Sequence, residues 1–183
     1  ASAMTTLRPD IHASRHAVST GHYLATGAAL GILEAGGNAI DAGVCGGIAL
    51  GVLQSDLVGV AGVAPIMVWH EESQKMVTIS GLGWWPKAAS SAWFREHHGG
   101  KQPSGVMSMV VPAAPDAWLT ALELWGTMSF ADCAEAAIRF ARDGFAMNTL
   151  LNQTIRENHE IYASFPSSAK IYLKDGEAPP VGS

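Results

Sequence analysis

Two adjacent glycines at positions 36 and 37 separate two apolar segments that are each long enough to form a helix. Before the glycines, apolar residues recur at helical spacing from His22 onward and predict a helix that ends at the glycine pair. After them, Asn38 is a favoured N-cap residue, and Asp41 lies in the first turn, where the helix dipole stabilises a negative charge. The sequence therefore predicts two helices that meet at a sharp corner, the second running to about Leu53.

The rest of the chain predicts a hairpin followed by three helices. Hairpin strands are predicted at residues 65–70 and 75–80, and helices at residues 112–125, 129–143 and 147–163. Shorter strands are predicted at residues 17–19 and 169–173, and residues 86–105 are predicted to be irregular because proline and glycine interrupt them. This order predicts an α+β fold with helices packed on a mainly antiparallel sheet. A lone hairpin leaves sheet edges to be covered, so further strands are expected from polypeptide outside this chain.

The charged residues are few and, on balance, acidic. They make up 15% of the 183 residues, against about 25% in an average soluble domain, which indicates that further protein covers much of the surface. Residues 1–183 are therefore interpreted as a single incomplete domain. The net charge is -5, and no basic run could lie along phosphates. Nucleic acid and membrane surfaces are not expected partners.

The two cysteines and the N-terminus bear on the cellular compartment. Cys45 and Cys133 lie among apolar residues without the spacing of a zinc site or a disulfide scaffold, which fits a reducing compartment. No export signal is visible, and Ala1–Ala3 ahead of Met4 resemble an expression scar. The longest uncharged apolar stretch, residues 42–53, is shorter than the roughly 20 residues that cross a bilayer. A cytoplasmic location is expected.

No local motif supplies a complete active site, metal site or cofactor site. The nucleophile elbow, the phosphate-binding loop and the zinc-protease helix motif are all missing from the sequence. Residues 81–86, GLGWWP, only partly match a dinucleotide loop, and His12 and His16 lack an evident third metal ligand. Trp84 and Trp85 are adjacent, so in an extended segment they point in opposite directions. Core packing of both is the simplest expectation, and the alternative is that one faces a pocket or a partner.

Residues 33–42, LEAGGNAIDA, resemble the γ-glutamyltranspeptidase family, whose large subunit carries an ILxxGGNAxDAAVA segment at the same helix corner. Other stretches agree in order along nearly the whole chain: residues 111–112, 125–128, 141–145, 169–172 and 175–177. The resemblance implies an N-terminal-nucleophile hydrolase, an αββα sandwich made as a precursor that cleaves itself before a threonine. That threonine uses its own amine as the base and forms an acyl-enzyme.

In the family, the cleavage site lies well beyond the equivalent of Ser183. The resemblance therefore implies that this chain is the N-terminal part of the large subunit and contains no catalytic residue; Thr5 and Thr6 are not expected to be nucleophiles. Its expected partners are the remainder of the large subunit, the threonine-bearing small subunit and a small amide substrate. No cofactor and no metal are expected.

The departures from the family pattern bear on the substrate. Transpeptidases carry an Arg-Glu pair after the second hairpin strand, and the arginine grips the α-carboxylate of the γ-glutamyl group; Leu82 and Gly83 stand there instead. Leucine cannot form a bidentate pair with a carboxylate. We therefore expect Leu82, Gly83 and Trp84 to contact a different substrate. The chain is most similar to the oxamate amidohydrolase branch, which removes ammonia from a small α-oxo acid amide in purine catabolism. The alternatives are a γ-glutamyl or cephalosporin acylase of the same family, or a non-catalytic scaffold domain.

Overall fold

The computed structural model describes residues 11–103 and 105–183, which form a helix-rich fold with one small antiparallel sheet. In chain order the elements are α1 (Tyr23–Glu34), α2 (Ala39–Leu53), β1 (Ile66–His70), β2 (Lys75–Ile79), α3 (Ser91–His98), a 3-10 turn (Val106–Ser108), α4 (Ala114–Trp125), α5 (Phe130–Asp143), α6 (Thr149–Glu157), α7 (His159–Ser164) and α8 (Pro166–Tyr172). The predicted α+β class is confirmed. Ala1–Ala3, Thr5 and Thr6 lie outside the described residues.

The helix corner predicted from the sequence is present between α1 and α2. Gly36 has a φ of 96°, a left-handed conformation that glycine adopts without strain. The Asn38 side chain then accepts hydrogen bonds from the backbone N–H groups of Ile40 and Asp41, and the Asp41 carboxylate accepts one from the Asn38 N–H. This reciprocal capping box satisfies the orphan donors at the start of α2.

The core is built around α2, which packs against α1, α4 and α5. Its buried members are mostly small or aliphatic: Ala25, Val44, Cys45, Ile48, Ala49, Leu53, Ala114, Ala121, Leu122, Cys133, Ala134 and Ala137, with Trp118 as the one large aromatic. Gly47 of α2 lies against the Trp118 ring, and a Cβ at Gly47 would be 3.1 Å from the indole nitrogen. The missing side chain at Gly47 therefore lets Trp118 of α4 lie close against α2.

The hairpin presents one face to these helices and one to solvent. Ile66 pairs with Ile79 and Val68 with Val77, and this face packs toward the helical core, where Val68 is buried. Because side chains alternate along a strand, the opposite face carries another set of apolar residues, Met67, Trp69 and Met76, which are 70%, 51% and 54% exposed. That face of the sheet is uncovered among the described residues.

Two predicted strands are wrong. Residues 17–19 form no strand, because no segment within residues 11–103 and 105–183 pairs with them. Residues 169–173 belong largely to α8, which begins at Pro166; proline at the first helical position is already fixed at a helical φ. The β-prone side chains of this segment did not outweigh that local start signal.

Two helical regions also differ from the sequence prediction. The region 86–105, predicted to be irregular, contains α3, which is capped by the Ser90 hydroxyl and by Gly99 at a φ of 57°. The helix predicted over residues 147–163 is broken at Asn158 into α6 and α7.

In the part of the chain that the structure describes, the helices all fall short of the combined length and hydropathy needed to cross a membrane.

Candidate functional site

The predicted site residues lie in a segment that follows β2, Gly81–Trp85, which we call the strap. It has no regular secondary structure and is held at both ends by backbone hydrogen bonds. The Ala64 N–H donates to the Gly81 carbonyl at 2.8 Å, and the Val111 N–H donates to the Trp84 carbonyl at 2.8 Å. The strap therefore lies between the loop before β1 and the segment that leads into α4.

These two flanking segments also bond to each other. The Gly62 carbonyl accepts hydrogen bonds from the N–H groups of Ala113 and Ala114, at 3.1 and 3.2 Å. Three stretches that are distant in sequence thus meet at one place, with α4 beginning there. The position of the strap is fixed by main-chain bonds rather than by its side chains.

Two glycines in the strap have no room for a side chain. Gly81 has a φ of 54°, and a Cβ there would overlap the carbonyl oxygen of Ala64. Gly83 has a φ of 73°, and its Cβ would overlap the carbonyl oxygen of Val111. The strap can follow this path only if both positions are glycine.

The three predicted site residues are consecutive in the strap, and none of them carries a charged or hydrogen-bonding side-chain group apart from the Trp84 indole N–H. Leu82 is 53% exposed and Trp84 is 85% exposed, with the half-buried Gly83 between them. Trp85 is also 50% exposed and meets the Phe94 ring of α3 edge to face, with 6.3 Å between ring centroids. The expectation that both tryptophans pack in the core is therefore wrong. The backbone bonds hold the strap at the surface, where Trp84 is largely uncovered by the described chain and Trp85 is partly covered by α3.

Further apolar side chains lie on the segment next to the strap. The segment that bonds to Trp84 is apolar and largely exposed along its length: Val106, Met107, Met109 and Val111. Exposed apolar patches of this kind mark interaction or ligand-binding surfaces more often than ordinary protein surface. The strap and this segment together form an apolar rim that is open in the described chain.

Polar groups reach this region from α3 and the loop after it, which the sequence analysis missed. A cleft of about 240 Å³ is lined by Trp85, Ser91, Phe94, Arg95, Gly100, Lys101 and Gln102. The Arg95 guanidinium donates to the Ser91 hydroxyl at 3.3 Å. The signal for α3 was present in the sequence, since Ser90 and Gly99 are good helix-capping residues.

The corner between α1 and α2 also makes hydrogen bonds to the turn between α4 and α5. The buried Asp41 carboxylate accepts hydrogen bonds from the Thr127 N–H, the Thr127 hydroxyl and the Met128 N–H, while the Asn38 amide donates to the Trp125 carbonyl at 2.6 Å. Burial raises the pKa of Asp41, but these hydrogen bonds outweigh it, and the pKa lies below the ordinary value. An ionised Asp41 joins α2 to the turn between α4 and α5.

Within residues 11–103 and 105–183, histidine, cysteine, aspartate and glutamate side chains form no group of three that could hold a metal ion. His16 instead lies 2.7 Å from a carboxylate oxygen of Glu34.

The Gamma-glutamyltranspeptidase family model matches residues 25–183. The chain is 30% identical over 180 residues to the glutathione hydrolase-like YwrD proenzyme of Bacillus subtilis, covering 96% of this chain and 34% of that protein. It is similar in structure to a cephalosporin acylase from Bacillus halodurans, with a TM-score of 0.81 and 26% identity over 98% of this chain and 36% of that one. It shares the fold of Helicobacter pylori γ-glutamyltranspeptidase, with a TM-score of 0.88 and 24% identity over 96% of this chain and 51% of that one. The chain thus spans about a third of the length of the curated relative.

Proposed function

Because the chain belongs to the γ-glutamyltranspeptidase family, we propose that it is the N-terminal portion of a self-processing amidohydrolase that hydrolyses a small amide such as oxamate. The observation that carries this proposal is the strap. Its exposed positions are the apolar Leu82 and Trp84, and its glycines lie too close to backbone carbonyls to be replaced.

The strap argues for a substrate other than a γ-glutamyl group. The resemblance aligns Leu82 with the arginine that grips the α-carboxylate in transpeptidases, and Gly83 with the adjoining glutamate. A leucine offers that carboxylate neither charge nor hydrogen bonds. Gly83 could not carry a glutamate side chain without displacing the segment around Val111. The strap therefore supports a pocket for a smaller substrate.

The proposed chemistry uses a threonine that lies outside this chain. Its hydroxyl attacks the amide carbon while its own α-amine accepts the proton, and ammonia leaves with that proton to give an acyl-enzyme ester. Water then hydrolyses the ester, so oxamate and water give oxalate and ammonia. Under this proposal, residues 81–85 contribute a wall of the substrate pocket, and the remainder of the large subunit and the small subunit complete it.

Mass spectrometry of the native gene product tests the processing part of the proposal. We expect two polypeptides, the larger containing residues 4–183 and the smaller beginning with threonine. Replacing that threonine with alanine should leave one uncleaved chain. A native product that ends near residue 183 would overturn the proposal and favour the non-catalytic scaffold.

A cephalosporin acylase is the second candidate. The likeness to the Bacillus halodurans cephalosporin acylase favours it, as does the apolar rim around Trp84, which could contact a large acyl group. Assay of the processed protein with a cephalosporin and with oxamate separates the two. Faster turnover of the cephalosporin would replace the small-amide proposal.

The proposal includes a cytoplasmic location. Cys45 and Cys133 are both free and buried in the same hydrophobic cluster, as expected of thiols in a reducing compartment. Fractionation of cells that express the native gene tests this part. Recovery of the protein with periplasmic or secreted markers would contradict it.

A further inference from the structure

We propose that the cleft between Trp85 and α3 binds the carboxylate of a small acid, with Arg95 and Lys101 as the cations that pair with it. The inference rests on the proposed function, because oxamate carries a carboxylate that Leu82 cannot pair with. Trp85 is part of the strap, so the cleft begins three residues along the chain from Leu82.

The volume of the cleft suits a small molecule. Its volume of about 240 Å³ lies below the roughly 300–1,000 Å³ of pockets that hold drug-sized ligands. One wall consists of the Trp85 and Phe94 rings, which meet edge to face. These rings offer a flat apolar surface beside the exposed Arg95 and Lys101 side chains. A planar acid such as oxalate or oxamate matches both the size and the flat apolar wall.

The polar wall of the cleft is cationic. Arg95 uses one guanidinium nitrogen for its 3.3 Å hydrogen bond to Ser91, which orients the group and leaves other N–H donors for a ligand. An arginine fork pairs with a carboxylate through two parallel hydrogen bonds. Lys101, on the loop after α3, adds a second positive charge. The Gln102 amide donates one N–H to the Ser108 carbonyl at 3.2 Å, which leaves one neutral donor for a ligand.

The charge of the surrounding segment also favours an anion. Residues 81–103 contain Lys87, Arg95 and Lys101 but a single carboxylate, Glu96, in a chain whose net charge is -5. Glu96 does not line the cleft. A local excess of positive charge in an acidic chain raises the concentration of small anions at that place.

Binding of oxalate tests the cleft without turnover. The processed full-length protein is titrated with oxalate by calorimetry, together with the variants Arg95→Gln and Lys101→Gln. We expect Arg95→Gln to weaken oxalate binding about tenfold, since it removes a charge-assisted pair, and Lys101→Gln to weaken it less. Arg139→Gln is the matched control, because Arg139 lies on α5 over the Phe140 ring and does not line the cleft. Its affinity should stay within twofold of the wild type.

Kinetics separate this inference from the proposed function. We expect Arg95→Gln to raise the KM for oxamate about tenfold with little change in kcat, and so to reduce the preference of the enzyme for oxamate over oxamide, which has no carboxylate. Arg95→Lys should recover part of the affinity that Arg95→Gln loses. If Arg95→Gln does not fold, the cleft is tested instead by Lys101→Gln and by the decrease in oxalate affinity with added salt.

Each outcome decides one of the two claims. Oxamate hydrolysis with a KM that is indifferent to Arg95 and Lys101 would overturn the cleft and leave the proposed function standing. Oxalate binding that depends on Arg95, without hydrolysis of any amide, would support the cleft and overturn the function. A wild-type protein that does not bind oxalate would overturn the cleft directly.

Discussion

The hydroxyl of Thr127 donates a 2.7 Å hydrogen bond to the carboxylate of Asp41, across 86 residues of sequence. The same carboxylate closes the capping box with Asn38 and accepts from the Met128 N–H. The carboxylate is fully buried. If it were removed, all of these donors would lose their partner at the same time. The corner therefore positions α4, whose first residue lies where the strap and the loop before β1 meet.

Asp41→Ala is expected to destabilise the full-length protein by about 3 kcal/mol, because it removes a buried carboxylate that accepts charge-assisted hydrogen bonds from Asn38, Thr127 and Met128. Asp132→Ala is the matched control, since Asp132 fills the same capping-box position in α5 but is exposed. Its loss should be clearly smaller. Urea denaturation of the two variants measures the difference. Equal losses would show that the contacts to Thr127 and Met128 add nothing.

Stability should fall in mild acid because of His22. This side chain is buried at the start of α1, where its Nδ1 accepts from the Leu24 N–H, and burial lowers the pKa of His22 below its ordinary value of 6.5. The folded state prefers the neutral His22 ring. The stability that this ring contributes is therefore complete above pH 6.5 and is lost as the pH falls through the lowered pKa. His22→Asn keeps an N-cap residue and removes the titration. Urea midpoints at pH 7.5 and 5.5 should therefore differ more for the wild type than for His22→Asn; equal differences would contradict the argument.

The two cysteines should be inert to thiol reagents in the native state. Burial raises the pKa of both Cys45 and Cys133 to about 11, and the thiolate is the reactive form. Alkylation of the full-length protein with iodoacetamide at pH 8, followed by peptide mapping, should find both unmodified. Addition of urea should expose both to modification. Labelling of either residue without denaturant would show that α2 and α5 separate in the native state.

Gly83→Ala is expected to displace the strap, because a Cβ at this left-handed position overlaps the Val111 carbonyl. The processed full-length variant should lose stability and most of its activity on small amides. Gly27→Ala is the control: a Cβ there meets nothing within 4 Å, and alanine is favoured over glycine inside a helix. It should be neutral or slightly stabilising. An active Gly83→Ala with normal stability would show that the strap can follow another path.

The elements that the sequence predicted well are those specified by neighbouring residues. Asn38 and Asp41 mark the start of α2 through bonds that span three residues, so the corner could be read from the sequence. The bond from Asp41 to Thr127 could not, because it depends on how α4 returns to α2. The α3 helix was missed although Ser90 and Gly99 frame it, because the surrounding prolines and glycines indicated irregular chain.

In the candidate site, too, local features could be predicted from the sequence and contacts between distant segments could not. Leu82, Gly83 and Trp84 were singled out from the sequence because they depart from a family pattern in a contiguous segment. The hydrogen bonds that hold the strap come from Ala64 and Val111, which lie outside that segment. Arg95 and Lys101 became candidates only once α3 placed them beside Trp85.

The substrate preference of the processed enzyme tests the central claim most directly. The kcat/KM of the full-length wild type and of Leu82→Arg is measured with oxamate and with a γ-glutamyl anilide. We expect the wild type to prefer oxamate, since loss of one arginine-carboxylate pair alone lowers γ-glutamyl turnover about ten- to a hundredfold. Leu82→Arg should admit some γ-glutamyl substrate and reduce oxamate turnover. Wild-type turnover of the γ-glutamyl anilide that equals or exceeds that of oxamate would contradict the account, whatever the variant does.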